Sequence, residues 1–211
     1  MLRWVRRAAW GAVAVLGFLV LATSAGWLVT DGPLADREVA SGPASLPIGG
    51  PFSLTDHRGR TVTEADFRGR PMAVFFGFTH CPDVCPTTLS DISGWLDALG
   101  PEAAALNVVF VTVDPERDTV EALAEYVSYF HPQVRGWTGA PDQIAQAARG
   151  FRVRTERVGL EGGDYAMDHT ASVFLFRADG DFAGTVDYHE PREFAVPKIR
   201  RAMNEEPEGA A

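Results

Sequence analysis

Two apolar stretches, MAVFFGF at 72–78, which is continuous, and NVVFVTVD at 107–114, constrain the fold of this chain more than any other feature. Continuous apolar runs of this length are typical of strands that are buried on both faces. Each run is followed by a segment with apolar residues at helical spacing, at 86–99 and at 119–130. Strands that alternate with helices in this way predict an α/β fold in which helices cover the sheet.

The flanking segments extend this pattern to an α/β sandwich with a central mixed sheet. Residues 51–70 predict a short hairpin with its turn at 57–60, where a glycine stands between charged residues. Two further strands are predicted on either side of the Asp-Gly turn at 179–180. The remaining predicted elements are a third helix at 140–151 and a final helix within 191–205.

An uncharged run of 23 residues, at 8–30, follows Arg3, Arg6 and Arg7. At about 1.5 Å per residue, a helix of this length spans the roughly 30 Å hydrocarbon core of a bilayer, and the arginines before it predict a cytoplasmic N-terminus. A cleaved signal peptide is the alternative interpretation, because small residues lie at 22–25. Both interpretations place the rest of the chain outside the cytoplasm.

The chain is therefore expected to have four parts. These are the cytoplasmic N-terminus and membrane anchor at 1–30, a linker at 31–50, the folded domain at 51–205 and a flexible tail at 206–211. Lys198 is the single lysine, and this preference for arginine fits a GC-rich bacterial genome. We accordingly expect a single-pass protein of a bacterial inner membrane, with its domain on the periplasmic side.

Charge limits the class of partner. Without the three N-terminal arginines, 16 basic residues stand against 28 acidic ones, a net charge of −12. A strongly acidic domain is a poor candidate for binding nucleic acid.

The stretch GFTHCPDVCPTT at 77–88 contains Cys81 and Cys85, the only two cysteines in the sequence. A structural disulfide, a redox dithiol and a soft-metal site all use such a pair. A domain of this size has no need of a disulfide to fold, which weakens the first alternative. A peroxiredoxin-type peroxidase is disfavoured, because the threonine expected three residues before the reactive cysteine is absent: Phe78 and Pro82 hold those positions.

The chemistry of the two thiols depends on the helix that follows the first buried strand. A helix that begins near Pro82 would place Cys81 at its cap and Cys85 one turn further on the same side. The first-turn amides and the helix dipole would then stabilise both thiolates. Thiolates serve a disulfide reductase and a Cu(I) site equally well, and a third donor would also permit Cu(II).

The third donor must come from the five histidines. His57, His131 and His189 fit solvated surface positions, and His80 adjoins Cys81 but is expected to point away from it. His169 is the strongest candidate, because it ends a polar loop directly before a buried strand, and that loop can reach the carboxyl end of the sheet where sites of open sheets lie. Asp168 could orient its imidazole. The alternative is a loop histidine that binds no metal.

Six segments together resemble the SCO/SenC family of membrane-anchored copper chaperones. In order along the chain they are GGPFSLTD, FRGRP, VFFGFTHCPDVCPTTL, VVFVTVDPERDT, WTGAPDQI and EGGDYAMDHTASVFLF, and they cover residues 49–190. The resemblance implies a thioredoxin-like fold and copper bound by Cys81, Cys85 and His169. His169 and Thr170 stand where thioredoxins place a cis-proline, a departure that favours metal binding over general disulfide exchange.

The resemblance also implies a task and its partners. Copper would pass to the binuclear copper centre of cytochrome c oxidase, on its copper-accepting subunit, and another copper chaperone could act as donor. The alternative is a thiol-disulfide oxidoreductase that uses Cys81 and Cys85 to keep the acceptor's cysteines reduced. In that case His169 would only tune the pKa of the thiols.

Overall fold

The computed structural model describes residues 48–204, together with residues 10, 16–18, 20 and 21 of the N-terminal run. Most of the predicted anchor, residues 31–47 of the predicted linker and the predicted tail lie outside the described residues. The four-part organisation of the chain therefore stays a prediction. Across the described part of the chain, no helix combines the length and the apolar character needed to cross a bilayer.

Nine strands and four α-helices make up the described fold. The strands are β1 Ser53–Asp56, β2 Thr61–Thr63, β3 Met72–Gly77, β4 Asn107–Thr112, β5 Val134–Thr138, β6 Thr155–Gly159, β7 Tyr165–His169, β8 Val173–Phe176 and β9 Phe182–Val186. The helices are α1 Val84–Leu99, α2 Val120–Val127, α3 Pro141–Gly150 and α4 Arg192–Asn204.

Seven strands form one mixed sheet in the order β2-β1-β5-β4-β3-β8-β9. Strands β3, β4 and β5 are parallel, whereas β1, β8 and β9 run antiparallel to their neighbours. The remaining two strands, β6 and β7, form a separate antiparallel hairpin. The predicted α/β sandwich with a central mixed sheet is thereby confirmed.

Strand β3 lies at the centre of the core, and all six of its residues are buried. Its side chains alternate between the two faces of the sheet: the ring of Phe75 contacts Phe110 of β4, and the next ring, Phe76, contacts Phe151 beyond α3. Because helices cover both faces, the strand needs no polar alternation, which is why its sequence is uniformly apolar.

Three chain segments meet at one end of this sheet. The Cys81 turn leaves the carboxyl end of β3, and residues 113–119 leave the carboxyl end of the parallel strand β4. Strand β8 runs in the opposite direction and begins there, since Val173 pairs with Phe75. The end of β7, which carries His169, is consequently delivered to the same edge.

The structure corrects two predictions and adds one strand that the sequence did not predict. Helix α1 begins at Val84, with Asp83 as its N-cap, so Cys81 lies before the helix and not at its cap. The cause is a turn in which the Cys81 amide donates to the Phe78 carbonyl, at 3.3 Å, and this turn must close before the helix can start. The expected polar loop before His169 is the β6–β7 hairpin, and β5 was not predicted at all.

Candidate metal centre

The two cysteine sulfurs meet across the start of α1. Although Cys81 lies outside the helix, its Sγ accepts a hydrogen bond from the Cys85 backbone amide at 3.4 Å. A first-turn amide of the helix therefore does reach this sulfur, as a cap would have allowed. Cys81 is partly exposed and Cys85 is buried, and both are free thiols.

The Cys85 thiol occupies space that a glycine leaves open. A Cβ added at Gly77 would lie 2.7 Å from Cys85 Sγ and 2.6 Å from Phe110 Cε2. Real Cβ atoms do not approach other atoms so closely, so any larger residue at the end of β3 would displace the sulfur or the ring. Gly77 thus sets the depth of the site.

His169 points its ring at Cys85. The His169 Nε2 atom lies 3.5 Å from Cys85 Sγ, and Nδ1 lies 3.0 Å from the carbonyl oxygen of Thr170. A carbonyl only accepts, so Nδ1 carries the proton and Nε2 is the free donor atom. The edges of Phe75 and Phe78 flank the ring, with centroids 6.2 and 5.9 Å away, and hold it in this orientation.

The two thiols have opposite acidities. The pKa of Cys81 falls to about 3, first because the Cys85 thiol donates a hydrogen bond to its sulfur, and further because backbone amides donate to it, whereas burial alone would raise the pKa. The pKa of Cys85 is raised, first because its thiol is the donor in the hydrogen bond to Cys81, and further because it is buried. Cys81 is therefore the thiolate of the reduced pair, and Cys85 is the thiol.

Two of the three donors, Cys85 and His169, stand at the spacing that a shared metal ion requires. Sulfur and nitrogen ligands at the bond lengths known for zinc, about 2.3 and 2.0 Å, stand roughly 3.5 Å apart across one ion. The Cys85–His169 distance matches this value. Among the described residues, no three His, Cys, Asp or Glu side chains already have the arrangement of a formed metal site. Metal binding at Cys81, Cys85 and His169 thus requires a local adjustment, which the partly exposed Cys81 turn can make.

A buried carboxylate that the sequence reasoning missed anchors this turn. Asp118 is fully buried and accepts hydrogen bonds from the Thr79 amide at 3.0 Å and from the hydroxyls of Thr79 and Thr112, each at 2.6 Å. It thereby ties the residues before Cys81 to the end of β4. The segment VDPERDT contributes to the family resemblance, but nothing in its pattern singles out Asp118. Three polar contacts between distant segments leave no pattern in a single sequence.

The other candidate residues take different places. The ring of His80 is largely exposed, bonds to the Thr79 hydroxyl and lies 3.9 Å from Asp118. His57 and His131 are only partly exposed, and each uses Nδ1 to accept a backbone amide, so the expectation of solvated side chains is wrong for both. His189 is exposed, as expected. Asp168 is exposed on β7, opposite Glu156 of β6.

Comparison with known proteins gives consistent matches. The SCO1/SenC family model matches residues 41–204. The mitochondrial Protein SCO2 homolog of Bos taurus is 43% identical over 157 residues, which are 73% of this chain and 59% of that protein. The chain thus spans about three fifths of the length of the SCO2 homologs of Bos taurus, Mus musculus and Homo sapiens.

Solved structures match the fold as well. ScoI of Bradyrhizobium japonicum with copper bound is 44% identical, covers 74% of this chain and 99% of that one, and superposes with a TM-score of 0.69. ScoI of Arabidopsis thaliana with copper bound is 37% identical, covers 73% and 99% of the two chains, and gives a TM-score of 0.68. The thioredoxin-like fold expected from the resemblance is confirmed, and copper is present in both relatives.

The comparisons also overturn one prediction. The expected location in a bacterial inner membrane is wrong, because the curated relatives, the bovine protein among them, are mitochondrial proteins of eukaryotes. The preference for arginine on which that expectation relied is a property of composition, and it specifies no compartment. The family itself is established by the model match over most of the sequence and by relatives above 40% identity: the chain belongs to the SCO1/SenC family.

Proposed function

We propose that this protein is a copper chaperone that binds one copper ion through Cys81, Cys85 and His169 and delivers it to the binuclear copper centre of cytochrome c oxidase. The observation that carries the proposal is the 3.5 Å approach of His169 Nε2 to Cys85 Sγ, with Cys81 hydrogen-bonded beside it. The copper-bound relatives support the choice of metal.

The donor set suits copper in both oxidation states. Thiolates are soft ligands and select Cu(I), while an imidazole nitrogen is a ligand that also suits Cu(II). Cys81 is already a thiolate, so binding must displace the proton that Cys85 shares with it. His169 needs no proton change, because its free Nε2 already faces the sulfurs.

The unequal exposure of the two cysteines suggests the order in which they release copper. Cys81 is partly exposed at the surface, whereas Cys85 is buried beneath it. A thiolate of the copper-accepting oxidase subunit can therefore replace Cys81 first and Cys85 last, so that copper never leaves a thiolate ligand. A second copper chaperone would load the site by the reverse order.

A copper titration of the reduced full-length chain against a Cu(I)-specific chelator tests the proposal. We expect one tightly held copper in the wild type and much weaker binding in Cys85→Ser and His169→Ala. His131→Asn is the matched control: residue 131 lies before β5, at the opposite end of the parallel strands, and Asn can still accept the Gln133 amide. Wild-type affinity in the His169→Ala variant would contradict the three-donor site.

A second function, reduction of a disulfide on the copper acceptor, is favoured by the lowered pKa of Cys81. The Cys81 thiolate would attack one sulfur of that disulfide and release the other as a thiolate. Cys85 would then displace the acceptor from the mixed disulfide, so that two electrons pass to the acceptor and Cys81 and Cys85 become oxidised. Exchange with a model disulfide that survives in His169→Ala but is lost in Cys81→Ser would identify this activity.

The membrane anchor at 8–30 remains a further part of the proposal. It relies on the length and the apolar character of that run alone. Membrane attachment would keep the copper site close to a membrane-bound acceptor.

A further inference from the structure

We infer that Asp114, Arg117 and Tyr165 form a latch that positions His169 against the two cysteines and so determines how tightly copper is held. The inference deepens the proposed function, because it rests on His169 as a copper ligand. Within residues 48–204, the three latch residues contact one another and not the two sulfurs or the imidazole, so their role is positioning.

The hairpin that carries His169 needs such a device. Strands β6 and β7 pair with each other and are not part of the seven-stranded sheet. All five residues of β6 are exposed, and a cavity of about 190 Å³ lies between the hairpin and the body, lined by Ile144 and Ala148 of α3 and by Met167 of β7. Ala166 and Met167 of β7 pack against the hydrophobic core, whereas β6 contributes no buried residue, so apolar packing attaches only one strand of the hairpin.

The latch adds polar and cation–π contacts to this attachment. The Arg117 guanidinium forms a salt bridge with the buried carboxylate of Asp114 and donates to the Tyr165 carbonyl at 3.1 Å. It also lies over the Tyr165 ring, 3.7 Å from the centroid, while the Tyr165 hydroxyl donates to Asp114 at 2.8 Å. Each residue thus contacts the other two. The charged groups of Arg117 and Asp114 are largely shielded from bulk solvent, and this shielding strengthens their cation–π and ionic contacts.

Arg157 of β6 also contacts the Tyr165 ring. Its guanidinium lies 3.5 Å from the Tyr165 centroid and pairs with Glu116 at 3.0 Å. The aromatic ring therefore has an arginine from the hairpin near it as well as one from the segment after β4. The Tyr165 ring thus joins the Arg157–Glu116 pair and the hydrogen bond from Arg117 to the Tyr165 carbonyl in attaching the hairpin to that segment.

The latch is coupled to the site on both of its sides. Tyr165 and His169 lie four residues apart on β7, so their side chains share one face of the strand. On the other side, Arg117 directly precedes Asp118, the carboxylate that anchors Thr79, and its guanidinium lies 5.9 Å from the Phe78 ring that flanks His169. A shift of the latch would therefore move the imidazole relative to the thiols.

A double-mutant cycle on the reduced full-length chain separates this role from general stabilisation. Residues that orient a metal ligand typically alter affinity by about 10- to 100-fold. Tyr165→Leu, which removes the ring and the hydroxyl, should weaken Cu(I) binding about 10-fold against the competing chelator. In a chain that already carries His169→Ala, the same change should alter the affinity by less than roughly twofold, since the ligand it positions is gone.

Two controls accompany the cycle. Val158→Thr alters an exposed residue of the same hairpin outside the latch and should leave the affinity unchanged. Arg117→Lys keeps the charge opposite Asp114 but loses the planar stack, and it replaces Tyr165→Leu if thermal unfolding shows that the leucine variant is not folded. In the metal-free chain, either latch variant should also shift the NMR signals of the His169 ring.

Each outcome has a distinct meaning. The latch is supported if Tyr165→Leu weakens copper binding in the wild-type chain but not in the His169→Ala chain, and if the imidazole signals shift. Equal losses in both backgrounds, or none in either, overturn the latch and leave the proposed ligands standing. If His169→Ala by itself binds copper as tightly as the wild type, the three-donor site fails, and the latch fails with it.

Discussion

The Cys85 thiol lies where a side chain at Gly77 would otherwise be, since a Cβ on Gly77 would come within 2.7 Å of Cys85 Sγ. We therefore expect Gly77→Ala to overpack the site and to lower the free energy of unfolding by about 1–3 kcal/mol. The displaced sulfur should also bind copper more weakly. Chemical denaturation and a Cu(I) competition titration measure the two effects.

Gly94→Ala is the control for that change. Gly94 lies within α1, and a Cβ there meets nothing within 4 Å. Alanine should stabilise the helix by roughly 0.5–1 kcal/mol and leave copper affinity unchanged. Equal stability and copper affinity in Gly77→Ala and Gly94→Ala would show that the Cys85 pocket is not tightly packed.

The Asp118 carboxylate fixes the approach to Cys81, so its removal should act on both folding and binding. Asp118→Ala leaves the Thr79 amide and two hydroxyls without their acceptor. Each buried group left unsatisfied lowers the free energy of unfolding by about 1–3 kcal/mol. We expect a lower melting temperature and weaker Cu(I) binding. Asp97→Asn, an exposed change on α1, should alter neither property.

The lowered pKa of Cys81 predicts an unusual pH profile for alkylation of the reduced, metal-free chain. Cys81 should react before Cys85, and its rate should stay nearly constant from pH 8 down to pH 5, because the thiolate persists until the pH approaches its pKa of about 3. Cys85→Ala removes the hydrogen bond that contributes most to this shift. In that variant the rate should fall as the pH falls, and a flat profile there would assign the shift to another cause.

The same shift has a consequence for stability. A thiolate that is favoured in the folded state stabilises the fold fully above the pKa of an ordinary thiol, and this contribution is lost as the pH falls toward 3. The free energy of unfolding of the reduced chain should therefore decline as the pH is lowered, and the part of this decline that Cys81 causes should be absent in Cys81→Ser.

The Phe78 ring restrains the His169 imidazole through an edge contact with centroids 5.9 Å apart. Phe78→Leu preserves an apolar side chain but removes the aromatic contact, which is worth about 0.5–1.5 kcal/mol. We expect a modest loss of stability together with weaker copper binding. Phe182→Leu removes ring contacts with Phe174 and Phe176 at β8, and it should affect stability alone.

Where burial is uniform, the sequence was sufficient to predict the fold. Strands β3 and β4 are covered on both faces, so their apolar runs identified them almost to the residue. Helix α2 was equally clear, because its buried residues Leu123 and Val127 recur at helical spacing and Thr119 caps it. Cys81, Cys85 and His169 were nominated from the resemblance and from their place before or after these strands.

Elements without a one-sided apolar pattern were missed. Strand β6 is exposed on both faces, so neither alternation nor an apolar run marks it. Strand β5 contains Arg135 and Gly136, and the glycine is needed there because Leu123 and Val127 of α2 pack directly against it. The contacts of Asp118 and Arg117 join segments that are distant in the chain, and a single sequence carries no signal of such pairs.

The donors of the candidate site come from parts of the chain that meet only in the finished sheet. Cys85 and His169 are 84 positions apart, and His169 reaches the thiols because β8, which follows it, pairs with β3. On the proposed ligand set, an incompletely folded copy offers two thiols but no imidazole in reach. Only a completely folded molecule would then hold copper through all three ligands. Bound copper would therefore distinguish mature molecules from immature ones.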